Sequence, residues 1–261
     1  LLVNDEDKTI ESLMDEDVIF VHTHDDQEVV AKIFSRYGFL AVPVVDNESR
    51  LVGMVTFDDA VDVIQEENTE DFELMAAMAP SEKPYMKSSA WEIAKNRFGW
   101  LIVLLLTAIL TSSIITKYEN ILTSFTGVIA FLPMIIGTGG NAGSQSSTIV
   151  IRGLSLGEIK ISDYYKVIIK ELGVSIIVGL GLAIFNYLRI VVFGGSPSMA
   201  LTISLTLLFT IMLAKTVGGL LPILAEKFKM DPAIMAAPLI TTIVDTLSLM
   251  IYVVFVSIIL I

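Results

Sequence analysis

Cysteine is absent from the chain, so disulfides and thiolate metal sites are excluded and the redox compartment is left open. Histidine is nearly absent too: His22 and His24 have no ligand-spaced partner and read as solvated surface. There is no GxxxxGK[ST] phosphate loop, and with no energy-coupling motif a passive path is favoured over a pump. No signal peptide opens the chain; Leu1 is not an initiator Met, and Leu1–Val3 reads as the tail of a helix, as in a fragment of a longer protein. Charge is the most telling scarcity. From Pro232 to Ile261 a single charged side chain, Asp245, interrupts an apolar run long enough to cross a bilayer, which takes roughly 20 residues. A carboxylate at the centre of such a run costs about 2.5–3.5 kcal/mol on insertion scales. A cation, a proton or a partner charge has to offset that cost, which makes Asp245 the first candidate functional residue.

What charge there is divides unevenly. Residues 1–97 hold 22 Asp/Glu against 8 Lys/Arg, a net of −14, whereas residues 98–261 hold 7 acids and 9 bases, a net of +2. The first third reads as a polar, soluble domain and the rest as an integral membrane domain. An excess of acid this large argues against nucleic acid as a partner and for cations.

Five apolar segments are expected to span the membrane: about 98–117, one from near Ile121 interrupted by GTGGNAGSQSS at 137–147, then about 166–193, 199–225 and 232–260. Lys83, Lys87, Lys95 and Arg97 precede the first. Arg152, Lys160, Lys166 and Lys170 follow the second, and Lys227 and Lys229 precede the fifth; the alternate connections carry Lys117 and Arg189. The positive-inside rule then puts the acidic domain in the cytoplasm and the C-terminus outside. Lys215, inside the fourth span, is expected to face a protein partner or to snorkel to an interface, because a pore-facing ammonium repels cations.

The soluble part reads as strand (Val18–Val21), helix (Asp25–Tyr37), strands Ala41–Val45 and Leu51–Val55 joined by the turn Asp46–Arg50, and helix Phe57–Gln65. Asp58 and Asp59 sit near the start of that helix, where carboxylates favour the dipole. Residues 66–79 continue as a strongly acidic helix, and Pro80 and Pro84 break the chain into a linker. The expected fold class is an α-helical integral membrane protein with five transmembrane helices per chain, preceded by a small α+β cytoplasmic domain and a connecting helix.

Two features of the spans carry chemistry. Thr241 and Ser248 share a helical face with Asp245, and Pro238 lies one turn earlier, a polar stripe that should point away from lipid. Gly137, Gly139 and Gly140 are poor material for a stiff helix, and backbone left unpaired at membrane depth has to line a water-filled cavity or protein. Its carbonyls, with Asn141, Ser144, Gln145 and Thr148 near, suit hard cations; close helix packing through small residues is the competing explanation. One carboxylate is too few for a divalent ion, and Mg2+ gives up its waters reluctantly. A two-fold homodimer with its axis on the fifth span brings two Asp245 side chains to one hydrated ion.

PMIIGTGGNAGSQSSTIVIRGL at 133–154 and MDPAIMAAPLITTIVDTLSLMIY at 230–252 resemble the MgtE family of magnesium channels, and the resemblance runs over nearly the whole chain. It implies residues 1–66 as a partial CBS regulatory domain (the second repeat), 67–97 as an acidic plug helix and linker, and 98–261 as a five-helix pore domain. It further implies a homodimer in the bacterial cytoplasmic membrane that imports Mg2+ and is shut by cytosolic Mg2+. Asp245 is then the pore carboxylate, with Thr241 on its stripe and Asn141 in the unwound segment beside it. The family's regulatory carboxylates fall on Asp59, Asp62, Glu67, Glu70, Asp71 and Asp231. Two departures matter. Ala237 stands where some members have Asn before the Pro of the fifth span, and the first CBS repeat is missing. Gly53–Asp59 has the Thr-x-x-Asp arrangement that holds a ribose and phosphate of ATP or another nucleotide, but with one repeat absent nucleotide binding is not expected of this chain.

Three other functions compete. A secondary carrier for divalent cations shares every feature above. An intramembrane aspartyl protease needs two carboxylates sharing a proton, whereas one chain supplies Asp245 alone at depth. A non-transporting sensor leaves the polar stripe of the fifth span without a use.

Overall fold

The computed structural model describes residues 9, 14, 17–81 and 83–260, and the chain divides into two units, Leu1–Thr69 and Glu70–Ile261. In the first, β1 (Val21–His22), α1 (Gln27–Tyr37), β2 (Ala41–Val45) and β3 (Leu51–Thr56) lead into α2 (Phe57–Met75). The sheet order is β1-β2-β3, with β1 parallel to β2 (Val21 opposite Val44) and β2 antiparallel to β3 (Ala41 opposite Thr56). Asp26 caps α1 by accepting the Glu28 N–H at 2.8 Å, and Gly38, at φ 67°, ends it in the left-handed region. The Asp46 carboxylate accepts the N–H groups of Glu48 and Arg50, which closes the β2–β3 turn. Val21, Phe34, Val42 and Ala60 form the core.

Two expectations shift here. The run Val18–Val21 makes a strand only from Val21, because β2 offers ladder partners to Val21 and His22 alone. The acidic helix stops at Met75 rather than running to 79. Met78 N–H reaches back to the Glu73 carbonyl and Ala77 takes φ 53°, which closes the helix end before Pro80.

The second unit is helical: α3 (Ala90–Lys117), α4 (Glu119–Thr123), α5 (Leu132–Ser155), α6 (Tyr164–Val192), α7 (Pro197–Lys227) and α8 (Ala237–Ile259). Ser89 and Glu92 form a capping box that starts α3 ahead of the expected 98. Among the described residues four helices are long and apolar enough to cross a membrane: Ala90–Lys117, Ile161–Val192, Pro197–Lys227 and Ala237–Ile259. The expected second span is where sequence and structure part. It does not run from Ile121, and it is not interrupted: α5 starts at Leu132 and is helical without a break through Gly137–Ser147.

The small residues of α5 serve its contacts. A Cβ on Gly139 would come within 2.6 Å of Thr210 on α7 and 3.0 Å of Val244 on α8, and one on Gly143 would come within 2.7 Å of Ile240. Close packing from both sides outweighs the low helix propensity of glycine, about 1 kcal/mol per residue. One buried cluster, which includes Leu122, Ile135, Ile203 and Tyr252, joins the end of the unit where α5 and α7 begin; Tyr252 donates to the Val128 carbonyl at 2.7 Å. A second, of Ala142, Leu207, Ile211, Ala214, Ile240 and Val244, fills the middle.

Candidate cation path

Asp245 stands two turns into α8. That helix follows a short turn, Pro232–Met235, which Asp231 caps by accepting the Ala233 N–H at 2.8 Å. Pro238 sits in the first turn of α8, and its carbonyl accepts the hydroxyls of Thr241 (2.9 Å) and Thr242 (2.7 Å). Asp245 is half-buried against α5: its Oδ1 lies 3.6 Å from where a Cβ on Gly140 would stand, and Thr241 lies 3.0 Å from the same point. Asp245, Thr241 and the backbone just before Asn141 are thus brought together. Among the described residues the ion pairs are Lys32–Glu28, Arg50–Glu48, Lys83–Glu92 and Lys166–Asp163, and none involves Asp245.

Asn141 faces outward. With Gly137, Gln145 and Thr148, each about one turn apart, it forms an exposed polar stripe along α5, while Ala142, Gly143, Ser146 and Ser147 on the other side are buried. The stripe corrects the expected source of ligands. Because α5 is an unbroken helix its carbonyls are engaged within it, as at Gly140, which also accepts the Ser144 hydroxyl at 2.8 Å. Side-chain amides and hydroxyls, not freed backbone, line this face. Ser248 is fully buried, and its hydroxyl and that of Thr210 have no hydrogen-bond partner among the described residues.

Lys215 does not snorkel; protein of its own chain meets it. It is 5% exposed inside its own chain, with Nζ 3.4 Å from the Ser146 hydroxyl of α5. A helix-wheel argument could not find that contact, because Ser146 belongs to another helix. Gly218 is also new: a Cβ there would collide with the Gly143 carbonyl. The Gly-Gly pair at 218–219 was the available signal.

Five of the six acidic residues assigned a regulatory role sit on α2, Asp59 a turn before Asp62 and Glu67 a turn before Glu70 and Asp71, and Asp231 precedes α8. In the first unit Asp59 accepts the Thr56 hydroxyl at 2.5 Å, Glu67 accepts from Gln27 at 2.8 Å, and Asp62 is exposed. In the second, Glu70 is exposed, Asp71 is half-buried and Asp231 serves as a cap. Among the described residues no three acidic or imidazole side chains converge on a point that could hold a metal ion. The end of α2 does have a partner: Leu74 and Met75 pack on Ile151 of α5 and on Ala233 and Ala236 before α8.

The model of a family described as "MgtE: Divalent cation transporter" matches residues 132–255, and that of the CBS domain matches residues 10–66. Curated proteins named magnesium transporter MgtE are 36% identical in Thermus thermophilus, 36% in Bacillus subtilis and 35% in Enterococcus faecalis, each over 97% of this chain. The chain spans about half the length of these relatives, 55–56%. A solved structure titled "Crystal structure of the soluble part of a magnesium transporter" is 52% identical over 25% of this chain and 26% of its own, at a TM-score of 0.25.

Proposed function

The chain belongs to the MgtE family through its membrane domain and carries a CBS domain ahead of it, and on that premise we propose that it forms a channel for Mg2+. The observation that carries this reading is the exposed polar stripe of α5 beside the half-buried Asp245. Amide and hydroxyl groups at membrane depth belong against water or protein, not lipid. A second copy across a two-fold axis covers both stripes and turns them into the walls of one path, with two Asp245 carboxylates balancing a hydrated 2+ ion.

In this arrangement α5, lined by the partner, is the fifth membrane-crossing helix of each chain. On the basic flanks the CBS domain is cytoplasmic and the end of α8 faces outside, in a bacterial inner membrane as for the bacterial relatives. The membrane potential drives entry, at about 2.3 kcal/mol per charge per 100 mV, doubled for Mg2+. Asp59, Asp62, Glu67, Glu70, Asp71 and Asp231 act in feedback: cytosolic Mg2+ bridges carboxylates that otherwise repel one another and shuts the path. In the homodimer, carboxylates of two copies share each such ion, which keeps part of its water shell.

Flux of Mg2+ into liposomes tests the proposal. The native chain should carry Mg2+ down an inside-negative potential. Asp245→Ala should reduce that flux to the background of empty liposomes while the protein remains folded and of unchanged oligomeric state. Undiminished flux in Asp245→Ala rejects the path through this residue.

A further inference from the structure

An ammonium buried at membrane depth is costly, and Lys215 is well inside α7. Its compensation comes from two other helices. Lys215 Nζ donates to the Ser146 hydroxyl of α5 at 3.4 Å, and that hydroxyl donates to Glu171 Oε2 of α6 at 2.5 Å. An ammonium, a hydroxyl and a carboxylate therefore make one chain across α7, α5 and α6. Gly219, one turn beyond Lys215, gives Glu171 room to reach in: the Glu171 Cγ lies 3.1 Å from where a Cβ on Gly219 would stand.

This chain of polar groups meets α5 at Ser146, within two turns of the cation site. A Cβ on Gly143 would meet the Ala214 carbonyl at 3.2 Å and the Val244 side chain at 3.3 Å, while one on Gly140 would meet Asp245 Oδ1 at 3.6 Å. The neighbours of Lys215 and Asp245 in sequence thus meet at one residue of α5. Gly140, Gly143 and Ser146 follow one another along that helix at intervals of about a turn. Lys215 and Asp245 consequently flank α5 on different sides, their charged groups about 9 Å apart along it, near Ser146 and Gly140. In a low-dielectric interior a charge is felt over this distance, and a divalent ion feels it twice as strongly as a monovalent one.

We propose that Glu171 is a specificity-determining residue of the cation path: through Ser146 it cancels the field of Lys215, which would otherwise repel a divalent ion held at Asp245. Ser146 is the positioning residue that holds the two charges together. The inference rests on the Mg2+ reading above and assigns to that site a charge balance contributed from behind α5.

The test measures Mg2+ uptake into liposomes as a function of external Mg2+, with thermal unfolding of each protein in detergent as a check on folding. Glu171→Gln leaves Lys215 uncompensated and should raise the half-saturating Mg2+ concentration about tenfold or more, with a smaller change in maximal flux. Adding Lys215→Met to Glu171→Gln should bring the half-saturating concentration back to within about threefold of the native value, because the region is again neutral. A purely structural pair behaves oppositely, since the double variant loses more contacts than the single one. If Glu171→Gln fails to fold, Lys215→Met alone decides: half-saturation at a lower Mg2+ concentration supports the proposal, and at an equal or higher one overturns it. Native half-saturation in a folded Glu171→Gln, or no recovery in the double variant, also overturns it. Absence of Mg2+ uptake by the native protein would instead reject the underlying reading.

Discussion

Gly218 and Gly137 are both glycines in membrane helices, yet they do different work. A Cβ on Gly218 collides with the backbone carbonyl of Gly143, an atom that cannot swing aside, whereas a Cβ on Gly137 meets nothing within 4 Å. Gly218→Ala should therefore push α7 off α5 and destabilise the unit by about 1–3 kcal/mol, the usual cost of overpacking. Gly137→Ala should be neutral or stabilising by up to about 1 kcal/mol, the gain in helix propensity. Thermal unfolding of both variants in one detergent makes the comparison; equal melting temperatures would refute the packing argument. Residue-scale reading found Asp245 because a lone carboxylate in an apolar run stands out by itself. It singled out the glycines of 137–147 as well, but left broken backbone and close packing side by side, since the atoms that crowd them come from α7 and α8.

Among the helices, α2 and α3 differ most from their neighbours. No residue of α3 is buried, and its side-chain hydrogen bond to α8 joins Thr111 to Thr246 at 2.8 Å. By contrast α2 ends on a specific seat, Leu74 and Met75 against Ile151, Ala233 and Ala236. That seat touches the C-terminal half of α5 and the entry to α8, the two helices that line the proposed path. Replacing both side chains by serine removes about 1 kcal/mol of apolar contact each, given that they are half-buried. In the gated reading, the Leu74→Ser, Met75→Ser protein should keep conducting when Mg2+ inside the liposomes is high, while its flux at low internal Mg2+ is unchanged. Shut-off equal to that of the native chain would show that the seat plays no part in closure. Hydropathy marked α6, α7 and α8 to within a few residues, because an apolar run is local. The start of α5 was missed: the apolar residues after Ile121 resemble a span in composition but are spent on α4 and a turn.

For the whole molecule, the division of charge is the property with the largest consequence. In the gated reading, the acid concentrated in residues 1–97 is what senses cytosolic cations. Changing Asp59 and Asp62 to Asn and Glu67 to Gln should move shut-off to about tenfold higher internal Mg2+, a difference of about 1.4 kcal/mol, and leave Asp245-dependent conduction intact. An unchanged shut-off concentration would remove these carboxylates from the gate.

Composition and pattern were sufficient for the two-part organisation, for the apolar helices and for Asp245 as the centre of interest, because each depends on a residue and its near neighbours in the chain. Contacts between distant segments supplied the rest. Lys215 and Ser146 are 69 positions apart, and Ser146 and Glu171 are 25. Nothing local to Lys215 says that its charge is met by a carboxylate on one helix through a hydroxyl on another. Nor could GTGGNAGSQSS reveal an unbroken helix, since close approach by α7 and α8 is what makes so many small residues favourable there.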